Sequence, residues 1–191
     1  MHHINSLINV FESVLPLSDT DKALMVQHTC LETLKKGALY CEQGRVCKKM
    51  GLVVDGIFKV VRTNAAGEEY ILYFTNEGHF VIDLDSFYTH TPAEEKIEAL
   101  TECVVITMTK NSYEFLEKEI PGFPRIVSTL KEKALLEKYK LKSEMLVDDA
   151  ATKYNKLLQR QPTVVQRVPQ SQIALFLGIT PYTLSRIRTR K

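Results

Sequence analysis

No apolar run in this 191-residue sequence approaches the roughly 18 residues that a membrane-spanning helix needs. The first residues, "MHHINSLINVFESV", lack a cationic segment followed by an apolar core and small cleavage residues. No secretory signal is expected, and the expected compartment is the cytoplasm. Cysteine is scarce, and Cys30, Cys41, Cys47 and Cys103 form no CxxC pair and no cluster with histidine. A zinc or iron–sulfur centre needs thiolates converging at ligand spacing, so no metal or other cofactor is expected. Buried or idle thiols are the expectation, with a Cys41–Cys47 redox pair as the alternative. The sequence also lacks a Ser/His/Asp series and a phosphate-cradling glycine loop. Asp83 and Asp85 in "VIDLDSF" stand two apart, on one face of a strand, but such pairs are mostly structural or solvated. No enzyme is expected.

What is present is ordinary globular composition, 45% hydrophobic and 25% charged, which excludes wholesale disorder. The net charge of +2 conceals an asymmetry. Residues 1–121 carry 11 Lys/Arg against 18 Asp/Glu, residues 122–147 carry 6 against 3, and residues 148–191 carry 8 against 2. No acidic residue follows Asp149. An acidic part joined to a basic part that meets a polyanion is the implied organisation.

Along the chain, the first thirty residues read as helical, with Ser18 or Asp19 capping "DTDKALMVQHTCLETL". From Gly37 to about Met108, short apolar runs are punctuated by glycine. Asp55-Gly56 in "GLVVDGIFKVVRT" predicts a hairpin, and Asn64–Gly67 predicts a second turn. Gly44 and Gly78 mark further turns, and "CVVITMTK" is a last strand. Strands at this spacing predict an antiparallel sandwich or barrel. A long helix is predicted from Pro124 to Val147, with Ile126, Leu130, Ala134, Leu141 and Met145 in one stripe. That stripe fits either packing on the sheet or a dimer seam; the length of the helix favours the seam. Asp148 and Asp149 can cap a further helix that must stop before Pro162.

The end of the chain carries the most specific signal. Gln170–Leu177 and Thr180–Arg190 read as two helices around Gly178-Ile179, sharing Ile173, Leu177, Ile179, Leu184 and Ile187 as an interior. Ala174 is small at the crossing, Gly178 supplies the turn, Thr180 caps, and Pro181 takes the first helical position. This is the pattern of a helix-turn-helix that reads DNA. Tyr182, Thr183, Ser185, Arg186, Arg188, Thr189 and Arg190 give the second helix a polar, basic outer face. Gln170 and Ser171 open the first helix, whose amides can hold a phosphate. The bland counterpart is a structural helical hairpin.

These residues resemble the cyclic-AMP receptor protein and fumarate–nitrate regulator superfamily, over nearly the whole chain. "LKKGALYCEQG", "GLVVDGIFKVVRTNAAGEEYILYFTNEGHF" and "IEALTECVVITMTKNSYEFLEKEIPGF" are similar to that family's sensor, and "QSQIALFLGITPYTLSRIR" to its DNA-binding pair. The resemblance implies an α+β fold: a jelly-roll-like antiparallel β-roll over residues 1–121, a dimerisation helix over 122–147 and a helix-turn-helix domain over 148–191. It implies a homodimer that binds double-stranded DNA at a roughly palindromic operator, meets RNA polymerase and answers to a small-molecule effector in the β-roll. The alternative is a ligand-binding sensor whose terminal helices dock a protein. Cyclic-nucleotide-binding members carry Gly-Glu for the ribose and Arg-Ser or Arg-Thr for the phosphate; the matching positions here hold Ile82-Asp83 and Ala93-Glu94. Asp83 is left to meet a ribose hydroxyl, Glu94 and Glu95 oppose a phosphate, and Lys96 is the nearest cation of the segment. A cyclic nucleotide is therefore not expected. Pro181-Tyr182 replaces the Arg-Glu of some members, so the operator should differ from theirs, with Arg186 as its main guanine contact. The β-hairpin that often follows the reading helix is expected to be missing.

Overall fold

The computed structural model describes residues 3–189. Two helices come first, α1 (Ile4–Glu12) and α2 (Asp19–Gln27). Ser18 caps α2 as the sequence predicts: its hydroxyl accepts the Asp21 N–H at 3.1 Å, and the Asp21 carboxylate accepts the Ser18 N–H at 3.0 Å. α1 turns Leu7, Ile8 and Phe11 into the main core.

The strands are β1 (Cys30–Leu34), β2 (Leu39–Cys41), β3 (Lys49–Asp55), β4 (Phe58–Thr63), β5 (Glu69–Thr75), β6 (Phe80–Val81), β7 (Lys96–Ala99) and β8 (Cys103–Thr109), with α3 (Leu84–Thr89) between β6 and β7. They form two antiparallel four-stranded sheets, ordered β1-β8-β3-β6 and β2-β7-β4-β5. The expected antiparallel two-layer architecture is thus observed.

One expected hairpin is not. β3 and β4 flank Asp55-Gly56 but belong to different sheets. The turn is a corner across which the chain changes layer. Gly56 takes φ +107°, and a Cβ there would stand 2.5 Å from Cys103 Sγ and 2.6 Å from the Glu102 carbonyl oxygen. Asp-Gly supplies the positive φ that a tight hairpin uses, but which strands pair is fixed elsewhere. The amide of Ile57 is already held by the Thr101 hydroxyl at 3.0 Å and its carbonyl by the Leu100 N–H at 2.8 Å. The second turn is a true hairpin joining β4 to β5: Asn64 Oδ1 accepts the N–H groups of Ala66 and Glu68 at 2.9 and 3.0 Å.

The remaining helices are α4 (Lys110–Glu119), α5 (Phe123–Val147), α6 (Ala150–Arg160), α7 (Pro162–Arg167), α8 (Gln170–Leu177) and α9 (Pro181–Thr189). Asp149 caps α6, accepting the Thr152 N–H at 2.7 Å, and α6 ends before Pro162 as expected. α7, which the sequence reading does not include, starts on that proline, where the missing N–H does no harm.

The apolar stripe of α5, expected as a dimer seam, faces the body of its own subunit and is half-buried from Leu130 onward. Ile126 is fully buried in the main core, and Leu130 packs against it. Leu141 and Met145 pack against a second cluster formed with the C-terminal helices. Half-buried Ala134 lines the cavity between these two regions. On the opposite side α5 exposes Leu135, Leu136, Tyr139, Leu146 and Val147. Steps of four and seven between Leu135, Tyr139 and Leu146 put them on one line.

That second cluster joins Leu157, Val164, Ile173, Phe176, Leu177 and Leu184 to Ile57, Val61, Ile71, Phe74 and Leu100. The C-terminal helices therefore share a core with the outer side of the β2-β7-β4-β5 sheet.

Of the cysteines, Cys41, Cys47 and Cys103 are buried, whereas Cys30 is exposed on β1. Hydrogen bonding with the neighbouring Cys41 lowers the Cys47 thiol to about 7.

Candidate nucleic-acid interface and effector pocket

α8 and α9 meet at Gly178, which adopts φ +68° and ψ +32° and ends α8 in the left-handed conformation. The Ile179 N–H then bonds the Ala174 carbonyl at 3.0 Å. Ala174 is 1% exposed, so a larger side chain at that crossing would force the helices apart. Ile173, Leu177 and Leu184 are buried between the helices, and Ile179 and Ile187 are packed against them. The turn residues and the shared interior are those expected from the sequence.

The polar residues divide by what they touch. Tyr182, Ser185, Arg186 and Arg188 are exposed on α9, and the Arg186 guanidinium lies 6.0 Å from the Tyr182 ring centroid. Thr180, expected among the DNA contacts, is the cap of α9: its oxygen accepts the Thr183 N–H at 3.1 Å, and its hydroxyl pairs with that of Thr183 at 3.0 Å. The Thr189 hydroxyl bonds back to the carbonyls of Ser185 and Arg186 at 3.3 and 3.2 Å. Gln170 and Ser171 are exposed at the start of α8, whose first turn has no side-chain cap. Arg190 lies outside the described residues.

The basic C-terminal segment is less free than its composition suggests. Arg167 bonds Asp55 at 3.1 Å and Glu77 at 2.5 Å on the β-roll. Arg160 and Lys156 bond Glu144 at 2.6 and 3.4 Å, and Lys156 also bonds Asp148 at 2.7 Å. The Arg160 hydrogen bond holds the Glu144 carboxyl below the usual carboxylate range. Lys153, Arg186 and Arg188 have no carboxylate partner among the described residues.

Residues that the sequence gives no hint of fasten this unit to the β-roll. Phe176 packs on Phe74 with ring centroids 5.1 Å apart. Lys59 Nζ donates to Gln172 Oε1 at 3.2 Å, and Gln161 Nε2 donates to Asn76 Oδ1 at 2.9 Å. These partners stand 85 to 113 positions apart, beyond the reach of any local pattern.

The segment expected to face an effector forms a small acidic cleft lined by Asp83, Asp85, Ser86, Glu94, Glu95 and Lys138, among others. Asp83, expected to be open to a ribose hydroxyl, is buried and caps α3 by accepting the Ser86 N–H at 3.0 Å. Glu94 is exposed and pairs with Arg62 on β4. Lys96 turns away to Glu69 at 2.5 Å. The cation of the cleft comes instead from α5, as Lys138. Burial, and then the charge of Asp83, push the Glu95 carboxyl above its usual range.

The described residues thus form an antiparallel β-roll, a long helix and a helix-turn-helix pair docked on the sheet. Residues 31–118 match the cyclic nucleotide-binding domain family. The fold of the chain is that of solved regulators of the cyclic-AMP receptor and fumarate–nitrate type, which bears out the fold that the resemblance implies. FixK2 of Bradyrhizobium japonicum superposes with a TM-score of 0.70 at 15% identity, over 85% of this chain and 83% of that one. The c-di-GMP-responsive global regulator CLP of Xanthomonas campestris gives 0.69 at 16% identity, over 91% of each chain. The catabolite activator protein of Thermus thermophilus gives 0.57 at 17%, over 92% of this chain and 84% of that one. No curated protein matches by sequence. No described helix is long and apolar enough to cross a membrane.

Proposed function

We propose that this protein is a homodimeric, DNA-binding transcription regulator and not an enzyme. The observation that carries the reading is the exposed face of α9, where Tyr182, Ser185, Arg186 and Arg188 stand clear of the body on a helix set by Thr180, Pro181 and Gly178. A helix of this kind enters the major groove through its first residues, while the preceding helix crosses the backbone. In that pose Arg186 is the side chain suited to bidentate contact with a guanine. The uncapped amides of Gln170 and Ser171 suit a phosphate. A protein-docking role for the pair has less support, since only Leu175 and Tyr182 are large apolar residues exposed on its described part.

The second copy fits the outer face of α5, on Leu135, Leu136, Tyr139 and Leu146, and not the inward stripe. Two such helices side by side give the two-fold symmetry that a palindromic operator mirrors. The acidic cleft argues against a cyclic nucleotide. Asp83, Glu94 and Glu95 surround the place where a cyclic phosphate would need donors, and Lys138 is the sole cation of the cleft among the described residues.

The test is a genomic selection for bound duplexes followed by titration of the enriched sequence across a range of salt. Affinity should fall steeply with salt, by a log–log slope of about 0.9 for each phosphate neutralised. Arg186→Ala should cost about 1–3 kcal/mol and relax preference at one base pair of each half-site. No enriched sequence, or an affinity indifferent to salt, would refute the reading.

A further inference from the structure

Between the β-roll, α5 and the C-terminal helices lies a cavity of about 550 Å³, within the size range of small-molecule sites. It adjoins the acidic cleft, with Tyr73, Ile82, Leu84 and Lys138 forming the shared wall, so that Lys138 also faces Asp83 and Glu95. Its walls are mainly apolar, with Phe11 and Phe80 at the β-roll, Leu130 and Leu141 on α5, and Leu157 and Phe176 from the C-terminal helices. The α5 residues that line it run from Val127 to Met145. Eighteen steps along a helix cover about 27 Å, so the cavity is an elongated trough and not a round void.

Its charge is lopsided. Glu144 is neutralised by Arg160 and Lys156. Lys131 and Lys138, one on either side of Ala134, have no carboxylate within ion-pair distance among the described residues. Each instead sits over an aromatic ring: Lys131 Nζ is 5.1 Å from the Tyr88 centroid, and Lys138 Nζ is 4.2 Å from the Tyr73 centroid. Lys138 Nζ also donates to the Tyr73 hydroxyl at 2.9 Å. The rings hold both stems against the trough wall without cancelling their charge. Half-buried Leu130, Leu141 and Met145 leave part of their apolar surface open to this space. An apolar lining whose lysines and arginine outnumber its two carboxylates, Glu137 and Glu144, suits an amphipathic ligand of negative charge.

We propose that this trough binds an elongated organic carboxylate, with its apolar body along α5 and its head group held by Lys138 and Lys131. The binding stands apart from the DNA-binding reading; a regulatory role for it would rest on that reading, because the ligand would lie against the Phe74–Phe176 and Gln161–Asn76 contacts that fasten the C-terminal helices.

The test uses the full chain, stripped of bound lipid, and contains no DNA, so it is blind to whether the chain reads an operator. Dodecanoate and dodecyltrimethylammonium, which share one apolar body, are titrated separately by calorimetry below their micelle concentrations. The expected result is one saturable dodecanoate site per chain, with the ammonium compound at least tenfold weaker. Lys138→Met should weaken dodecanoate at least tenfold, and Ala134→Phe, which fills the trough, should abolish binding. Circular dichroism and melting check that both variants fold, and Lys131→Met serves as a second head-group variant. Equal affinity for the two amphiphiles, no saturable dodecanoate site, or unchanged binding in folded Lys138→Met and Ala134→Phe would overturn the proposal.

Discussion

If two copies associate through the outer face of α5, Leu136→Lys should break the dimer while leaving the subunit folded. Leu136 is 61% exposed, so the remaining burial in its own subunit is small. Full burial of a leucine side chain is worth about 1.5–3 kcal/mol, and the exposed share of Leu136 therefore about 1–2. A two-fold interface uses each position twice, so the substitution removes about 2–4 kcal/mol of association energy before any charge repulsion is added. At 1.4 kcal/mol per decade the dimer dissociation constant should rise roughly 30- to 700-fold. Leu141→Lys is the control, because Leu141 packs inward on the C-terminal cluster. It should lower the melting temperature and leave self-association of the folded fraction unchanged. Sedimentation equilibrium on both variants reads the difference. A Leu136→Lys protein that dimerises as tightly as the parent, beside a folded Leu141→Lys protein that does not, would refute the assignment of faces.

Other expectations concern stability and docking. Gly56→Ala combines positive φ with a Cβ against Cys103 and Glu102, and should destabilise by about 2–4 kcal/mol in denaturant unfolding; Gly67→Ala, also at positive φ but with nothing within 4 Å, should cost only about 1–2 kcal/mol. Equal losses would remove the corner argument. Phe176→Ala deletes a buried ring shared by α8 and the sheet, and should cost about 3–5 kcal/mol. It should also speed proteolysis around residues 161–169, and resistance equal to the parent's would count against the docked arrangement. The raised Glu95 carboxyl gives a pH signature. A carboxyl whose folded value lies above its unfolded one contributes stability that is fully present below the ordinary value of 4.5 and is lost as pH rises through the folded value. Glu95→Gln should therefore raise the melting temperature at pH 7, with the gain disappearing towards pH 4; a gain independent of pH would contradict the cause assigned.

The most legible parts of the sequence were those whose conformation is set within a few residues. Ser18, Asp149 and Thr180 are caps because each hydroxyl or carboxylate reaches an amide three residues on. Gly67 and Gly178 mark turns because their backbone needs positive φ, and the apolar spacing of α8 and α9 announces their shared interior. Other features turn on partners far away in sequence. Asp55-Gly56 has hairpin chemistry yet joins two sheets. The α5 stripe has the period of a seam yet faces its own subunit. Periodicity reports that a face is buried and is silent on what buries it.

The sequence by itself determined the order of β-roll, long helix and helix-turn-helix, the turns that hold them and the basic outer face of α9, since propensity, capping and local charge act over a turn or two of chain. Only the tertiary structure decided that Arg167, Arg160 and Lys156 serve internal bonds, that Leu135 and Leu136 face outward, and that a trough separates α5 from the sheet. Those outcomes depend on contacts made across the fold, where each side chain meets whichever partner the packing of distant elements brings to it.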